Sequence, residues 1–150
     1  RGVVAASPDA VELANRLRPA VYRLARLLRQ QDDTGLAPAL VSALGVVERD
    51  GPITLGDLAK QEQLSPPSIT KVVVALEEQG LVERTRDDAD RRVSRVRVTA
   101  KGRRQLEASR SRRTAWLATQ IDALAPAERR LLHDALGVME ALSRGGRVPA

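Results

Sequence analysis

Leu13, Leu17, Val21, Leu24 and Leu28 recur every three or four positions, the spacing that lays one apolar stripe along a helix. Ser7-Pro8-Asp9 precedes them with a hydroxyl to accept a free backbone N–H, a proline where no N–H is needed and an acid against the helix dipole. The pattern predicts a helix from Pro8 to near Gln31. Gly35 and Pro38 punctuate the chain, and Leu40, Leu44 and Val47 predict a second helix, stopped by Arg49-Asp50-Gly51-Pro52. Thr54 and Asp57 stand at capping-box spacing, the threonine bonding forward and the aspartate back, and open a short helix to about Gln63. Ser65-Pro66-Pro67 then starts another, Pro66 to Gln79, because prolines fit only a helix's first turn. Two short helices meeting across a tight turn are a helix-turn-helix by length.

The second of these has two distinct faces. At 100° per residue Ile69, Val72, Val73 and Leu76 share one side and are expected in the core. Pro67, Lys71, Val74 and Glu78 take the other, flanked by Ser68, Thr70 and Ala75. After Gly80 the period changes from 3.6 to 2. Leu81 to Arg86 reads as a strand and Val93 to Thr99 as a second, with Ser94, Val96 and Val98 inward and Val93, Arg95 and Arg97 outward. The tip runs from Asp87 to Arg92. A helix-turn-helix followed at once by such a hairpin is a winged helix. A long helix then starts at Thr99, carrying Leu106, Trp116, Leu117, Ile121 and Leu124, and a last one at Pro126, with Leu131, Leu132, Leu136, Met139 and Leu142. Ala125 offers the last helix no polar cap, so its first turn is expected to fray. The expected fold class is mainly α with a small β-hairpin wing: residues 1–150 as a single chain-long unit, a winged helix-turn-helix over 36–102 and flanking helices at 8–34 and 103–150.

Composition removes several classes of function. The absence of cysteine excludes disulfides, thiolate catalysis, thiol redox sensing and any cysteine-ligated metal. No apolar run approaches the roughly 20 residues of a membrane span and no charged-then-apolar leader opens the chain, so a cytoplasmic protein with no membrane role is expected. Net charge is +6, but Arg84 to Arg113 holds twelve Arg and Lys against four acids, so this segment alone carries +8. Such local basicity points to nucleic acid, the alternative being a solvated arginine-rich face.

The candidate contacts to double-stranded DNA follow from these placements. Ser65, Pro67, Ser68, Thr70 and Lys71, near the start of the second short helix, present small hydroxyls and a cation to phosphates or base edges. Arg84, Arg86, Arg91 and Arg92 lie on the hairpin, where arginine can enter a narrow minor groove, and Asp90 is placed to aim Arg92 through a bidentate pair. Asp87 and Asp88 are expected to make the turn. A calcium loop would need a central glycine and a later carboxylate where arginines stand, so no metal is expected. His133, the only histidine, has no nucleophile or paired carboxylate near it in sequence, so no catalytic residue and no enzyme activity is expected.

The stretch LGDLAKQEQLSPPSITKVVVALEEQGLVERTRDDADRRVSRVRVTAKG, residues 55 to 102, resembles the multiple-antibiotic-resistance regulator (MarR) family of bacterial winged-helix transcription factors. Within it Asp90-x-Arg92-x-x-x-Val96 matches the family's wing signature. The resemblance implies a homodimeric regulator, a repressor on a pseudo-palindromic operator, with the reading helix in the major groove and the wing arginine in the minor groove. It also implies that the first and last helices join the subunits, here through Leu13, Leu17, Leu131, Leu132, Leu136 and Met139. A small aromatic or phenolic ligand would release the DNA, with Tyr22 and Trp116 as candidate lining; no cofactor is implied. The chain departs from the family at Val74 and Ala75, where polar or charged residues are usual, which shifts specificity toward Ser65, Ser68, Thr70, Lys71 and the wing. Two alternatives stand beside this reading: a winged-helix protein-interaction module, and a ligand-binding protein without a DNA role.

Overall fold

Ser7 accepts the Ala10 N–H at 3.2 Å, and from that cap the first helix, α1, runs Pro8–Gln30. The structure, a computed structural model, describes residues 5–145. The chain continues with α2 (Pro38–Asp50), β1 (Ile53–Thr54), α3 (Leu55–Glu62), α4 (Pro66–Glu78), β2 (Val82–Arg86), β3 (Ser94–Val98), α5 (Ala100–Asp122) and α6 (Pro126–Ser143). It forms two compact units that divide after Arg113, inside α5.

Local chemistry sets most boundaries. Thr54 Oγ1 accepts the Asp57 N–H at 3.1 Å, Ser65 Oγ the Ser68 N–H at 3.4 Å and Thr99 Oγ1 the Gly102 N–H at 3.0 Å. The return bond expected from Asp57 is not among the described hydrogen bonds, because an aspartate is one methylene short of the usual glutamate. At the start of α6 Ala125 makes no side-chain cap, as expected, but its backbone N–H has a partner. Glu128 Oε2 accepts the Ala125 N–H at 2.8 Å, half of a capping box that a reading confined to the cap residue misses.

The hairpin belongs to a three-stranded antiparallel sheet, ordered β1-β3-β2, and not to a two-stranded ribbon. The third strand is two residues long, too short to show alternation in sequence. Ile53 pairs with Val96 on one side of β3, while Val82 pairs with Val98 and Glu83 with Arg97 on the other.

The core lies between α2, α3, α4 and this sheet. Leu44, Val47, Leu58, Ile69, Val73, Leu76, Leu81 and Val96 are its largest fully buried members. All four α4 residues expected inside are buried there, each contributing on the order of 1.5–3 kcal/mol by leaving water. Gly80 ends α4 at φ +70°, a left-handed turn suited to glycine, and the Leu81 N–H returns to the Leu76 carbonyl at 2.9 Å. The chain re-enters at Thr99, whose N–H bonds the Leu81 carbonyl at 3.0 Å. Gly102 sits against that same carbonyl, where a Cβ would collide with it and with the Val98 side chain.

α1 and α6 contain no buried residue. Among the described residues, no helix is long and apolar enough to cross a membrane.

A second tie in the first unit was not foreseen from the sequence. Asp32, in the loop after α1, keeps only 8% of its side chain exposed and accepts from Ser109 Oγ at 2.7 Å, Arg113 Nη2 at 2.6 Å and the Thr34 N–H at 3.1 Å. Burial alone would raise its pKa; the bonds from Ser109, Thr34 and Arg113 outweigh that and lower it from 3.8 to about 2. The folded state therefore prefers the ionised form. Its stabilisation, roughly 2 kcal/mol, is complete above the unfolded value near 4 and is lost as pH falls through 2. Asp32→Ala should destabilise the fold by about 2–4 kcal/mol at pH 7, since it also strands Arg113, whose Nε already lacks a partner. Urea unfolding at pH 7 and pH 2 should show the difference between wild type and variant shrinking in acid; an equal difference at both would refute the assignment.

Candidate nucleic-acid interface

Because its apolar side is committed to the core, α4 leaves Pro67, Ser68, Thr70, Lys71, Val74 and Glu78 in solvent. The hydroxyls there are not equally free. Ser65 Oγ accepts the Ser68 N–H and donates to Ser68 Oγ at 2.9 Å, so the Ser68 proton remains available outward. Thr70 Oγ1 donates to the Pro66 carbonyl at 2.8 Å, which leaves it an acceptor. Lys71 has no ion-pair partner among the described residues.

The wing is fastened to this helix. Arg84 Nε, on β2, contacts both carboxylate oxygens of Glu77 on α4, at 3.0 and 3.1 Å, so Arg84 acts as a strut and keeps only its terminal nitrogens for other contacts. Glu83 and Arg97, opposite one another on β2 and β3, pair at 2.7 Å. Asp87 accepts the Ala89 N–H at 2.8 Å and Arg95 Nε at 2.8 Å, and its own N–H donates to the Val93 carbonyl at 3.0 Å, closing the hairpin. Its carboxyl is held below the usual range chiefly by the Ala89 N–H, then by Arg95.

Asp90 and Arg92 meet, but not as a bidentate pair. A single Oδ1 accepts Arg92 Nε at 3.3 Å and the Arg92 backbone N–H at 3.0 Å, while the Asp90 carbonyl accepts the Val93 N–H at 2.9 Å. The aspartate thus shapes the turn as much as it aims the guanidinium. Arg92 remains 93% exposed, so the pair itself contributes little to stability. With Arg86 and Arg91 it forms the exposed cationic tip.

The basic segment is less free than its formal charge suggests. Seven of its twelve cations, Arg84, Arg92, Arg95, Arg97, Arg110, Arg112 and Arg113, form ion pairs. Apart from Arg92 with Asp90, sequence alone hid these because their partners come from other elements or from across the hairpin. Only a known register puts Glu83 against Arg97.

A family model described as "MarR family" matches residues 36–94. An HTH-type transcriptional regulator of Mycobacterium bovis is 36% identical over 131 residues, 87% of this chain and 92% of that protein. This chain belongs to the MarR family. It is a DNA-binding transcriptional regulator of the helix-turn-helix type, and the family is one of regulators and not of enzymes. The fold agrees with a transcriptional regulator from Pseudomonas aeruginosa, 29% identical with a TM-score of 0.82 over 92% of this chain and 98% of that one. A variant of MepR from S. aureus, solved bound to an oligodeoxyribonucleotide, shares the fold at a TM-score of 0.68 and 20% identity, over 86% of this chain and 96% of that one.

The remaining expected positions are placed as follows. Leu13, Leu131, Leu136 and Met139 of the regulator are exposed, while Leu17 and Leu132 are half-buried. Tyr22 is exposed and Trp116 half-buried. Neither lines the cleft of about 610 Å³ formed by Arg26, Arg29, Leu36, Pro38, Val41 and Arg113 with their neighbours.

Arg92→Ala should weaken DNA binding by on the order of 1–3 kcal/mol without loss of folding, because the side chain touches only its own turn. Asp90→Ala should also weaken binding, although it removes a negative charge, because the turn loses its internal acceptor. Fluorescence anisotropy at physiological salt checks both; tighter binding by the aspartate variant would mean that Asp90 merely repels phosphate.

Proposed function

We propose that this chain is a homodimeric repressor that binds a pseudo-palindromic operator, with α4 of each subunit in the major groove and the wing arginines in the flanking minor groove. The observation that carries this reading is the strut between Arg84 and Glu77, which ties the cationic tip to the helix bearing Ser68, Thr70 and Lys71. One rigid body then offers two neighbouring grooves two different chemistries. Ser65, Pro67, Ser68, Thr70 and Lys71 address the major groove. Arg84, Arg86, Arg91 and Arg92, ordered by Asp90, address the backbone and the minor groove. MepR, whose fold this chain shares, was solved bound to an oligodeoxyribonucleotide, which supports DNA as the partner.

Dimerisation is the reading best suited to α1 and α6. Both leave large apolar side chains in solvent, including Leu131 at 70% exposure, and neither buries a residue within its own chain. A second copy would cover Leu13 and Leu17 on α1 and Leu131, Leu132, Leu136 and Met139 on α6. Two-fold assembly also supplies what one reader lacks, since a single helix spans too few base pairs for useful specificity.

The inducer fits the arginine-lined cleft better than the surroundings of Tyr22. Arg26 and Arg29 can neutralise a carboxylate, Arg113 being held by Asp32, while Leu36, Pro38 and Val41 suit an aromatic ring. A small aromatic acid is therefore the ligand class proposed, and the cytoplasm, where the DNA is, the site of action.

Selection of bound sequences from random DNA should return an inverted repeat with half-site centres about 10 base pairs apart. Leu136→Glu should yield monomers in sedimentation and lose operator binding without altering any DNA contact. A wild-type monomer that shifts a single half-site would overturn the dimeric design.

A further inference from the structure

Among the described residues, the large apolar side chains left exposed lie on α1, on α6 and at one other place, Val74. An isolated exposed valine is ordinary on a protein surface. The position of this one is not. Val74 is 39% exposed at the middle of the outward face of α4, one turn beyond Thr70 and Lys71 on the same stripe. Packing does not explain it, since Ile69, Val72, Val73 and Leu76 already fill the core side. Among the described residues no other exposed large hydrophobic lies on α4 or the wing, so Val74 is not part of an apolar interface patch there.

We propose that Val74 reads a thymine, by packing its methyl groups against the thymine 5-methyl in the major groove. This rests on the reading that α4 enters that groove. The major-groove edges of guanine, cytosine and adenine offer donors and acceptors, and thymine alone adds an apolar group. A valine against the methyl buries two apolar surfaces together. Against a polar edge it displaces water and returns no hydrogen bond, which penalises the wrong base. Val74 therefore selects in both directions: attraction for thymine and exclusion of the others. Its neighbours divide the work by chemistry, with Lys71 supplying charge, Ser68 a free proton and Thr70 an acceptor. Glu77, the acid on this half of the helix nearest the sheet, is occupied by Arg84 and does not compete for a base.

The test replaces thymine by deoxyuridine, which removes only the methyl group. Using the operator selected by the wild-type protein, each thymine is replaced in turn and binding measured for wild type and for Val74→Ala. One thymine per half-site should be sensitive, with wild-type affinity falling about fourfold on loss of its methyl. Val74→Ala should bind the parent operator more weakly by a similar factor and be nearly indifferent to uracil at that position. The inference is overturned if no thymine is sensitive, if the variant shows the same loss, or if the selected operator has no thymine opposite α4. Protection of guanine N7 from dimethyl sulfate separates this from failure of the underlying reading. Protection together with loss of affinity in Lys71→Ala places α4 in the groove, so that indifference to uracil would then overturn Val74 alone; absence of both would remove the groove assignment and the Val74 inference with it.

Discussion

What the proposed reading helix presents to solvent is decided by how α4 sits on its core. Four apolar residues, Ile69, Val72, Val73 and Leu76, are buried on one side of a thirteen-residue helix, and together they fix its rotation about its axis. A slip of one residue would turn the helix by about 100°, burying Lys71 or Ser68 and exposing a leucine or isoleucine at the cost of several kcal/mol. The outward face is thus a by-product of the inward one. Its polar residues need no scaffold beyond the helix, which is why Thr70 and Ser65 can spend hydroxyl bonds on local backbone and still stand in the right place.

The sheet extends that constraint to the wing. β3 is held on both edges, by β1 and by β2, and its Val96 is fully buried against the same core that holds α4. Rotation of the hairpin would break this packing and the contact between Arg84 and Glu77 together. Rigidity of this kind matters because ordering a loop at the moment of binding subtracts from affinity, and a tip held by Asp87 and Asp90 has lost most of that freedom beforehand. Carboxylates beside the surface proposed to face DNA then act favourably through geometry, although their charge alone would oppose such a partner.

Much of this was legible in the sequence, for identifiable reasons. Helix starts were marked by Ser7, Thr54, Ser65 and Thr99, each bonding forward as its residue type dictates, and the buried side of α4 followed from period alone. What could not be read was whatever depends on two distant segments meeting. β1 is two residues long and exists only because β3 lies beside it. Asp32 looked like part of an ordinary polar loop, yet its partners Ser109 and Arg113 come more than seventy positions later. The cleft beside it carries no aromatic signature in the sequence, because its lining is mainly arginine, aliphatic and small polar residues drawn from α1, the following loop, α2 and α5. The Asp90 and Arg92 pair was foreseen in identity but not in form, since one-letter spacing says nothing about which nitrogen reaches which oxygen.

The ion pairs change what the basic segment means. A formal charge of +8 between Arg84 and Arg113 suggests a broad electrostatic footprint, but a guanidinium already beside a carboxylate has less to gain from a phosphate than a free one. Arg97, Arg110, Arg112 and Arg113 spend their charge inside the first unit, on Glu83, Glu48, Asp33 and Asp32. If α4 and the wing meet DNA as proposed, the attraction there falls to Lys71, Arg86, Arg91 and the exposed Arg92, while Lys101, Arg103 and Arg104 on α5 also form no ion pair among the described residues. A few cations at fixed points discriminate between correctly and wrongly placed phosphates better than a diffuse field does, because a shift of register loses contacts that no neighbouring charge replaces. Internal neutralisation thus lowers the diffuse attraction of the basic segment and gives proportionally more weight to the cations of α4 and the wing.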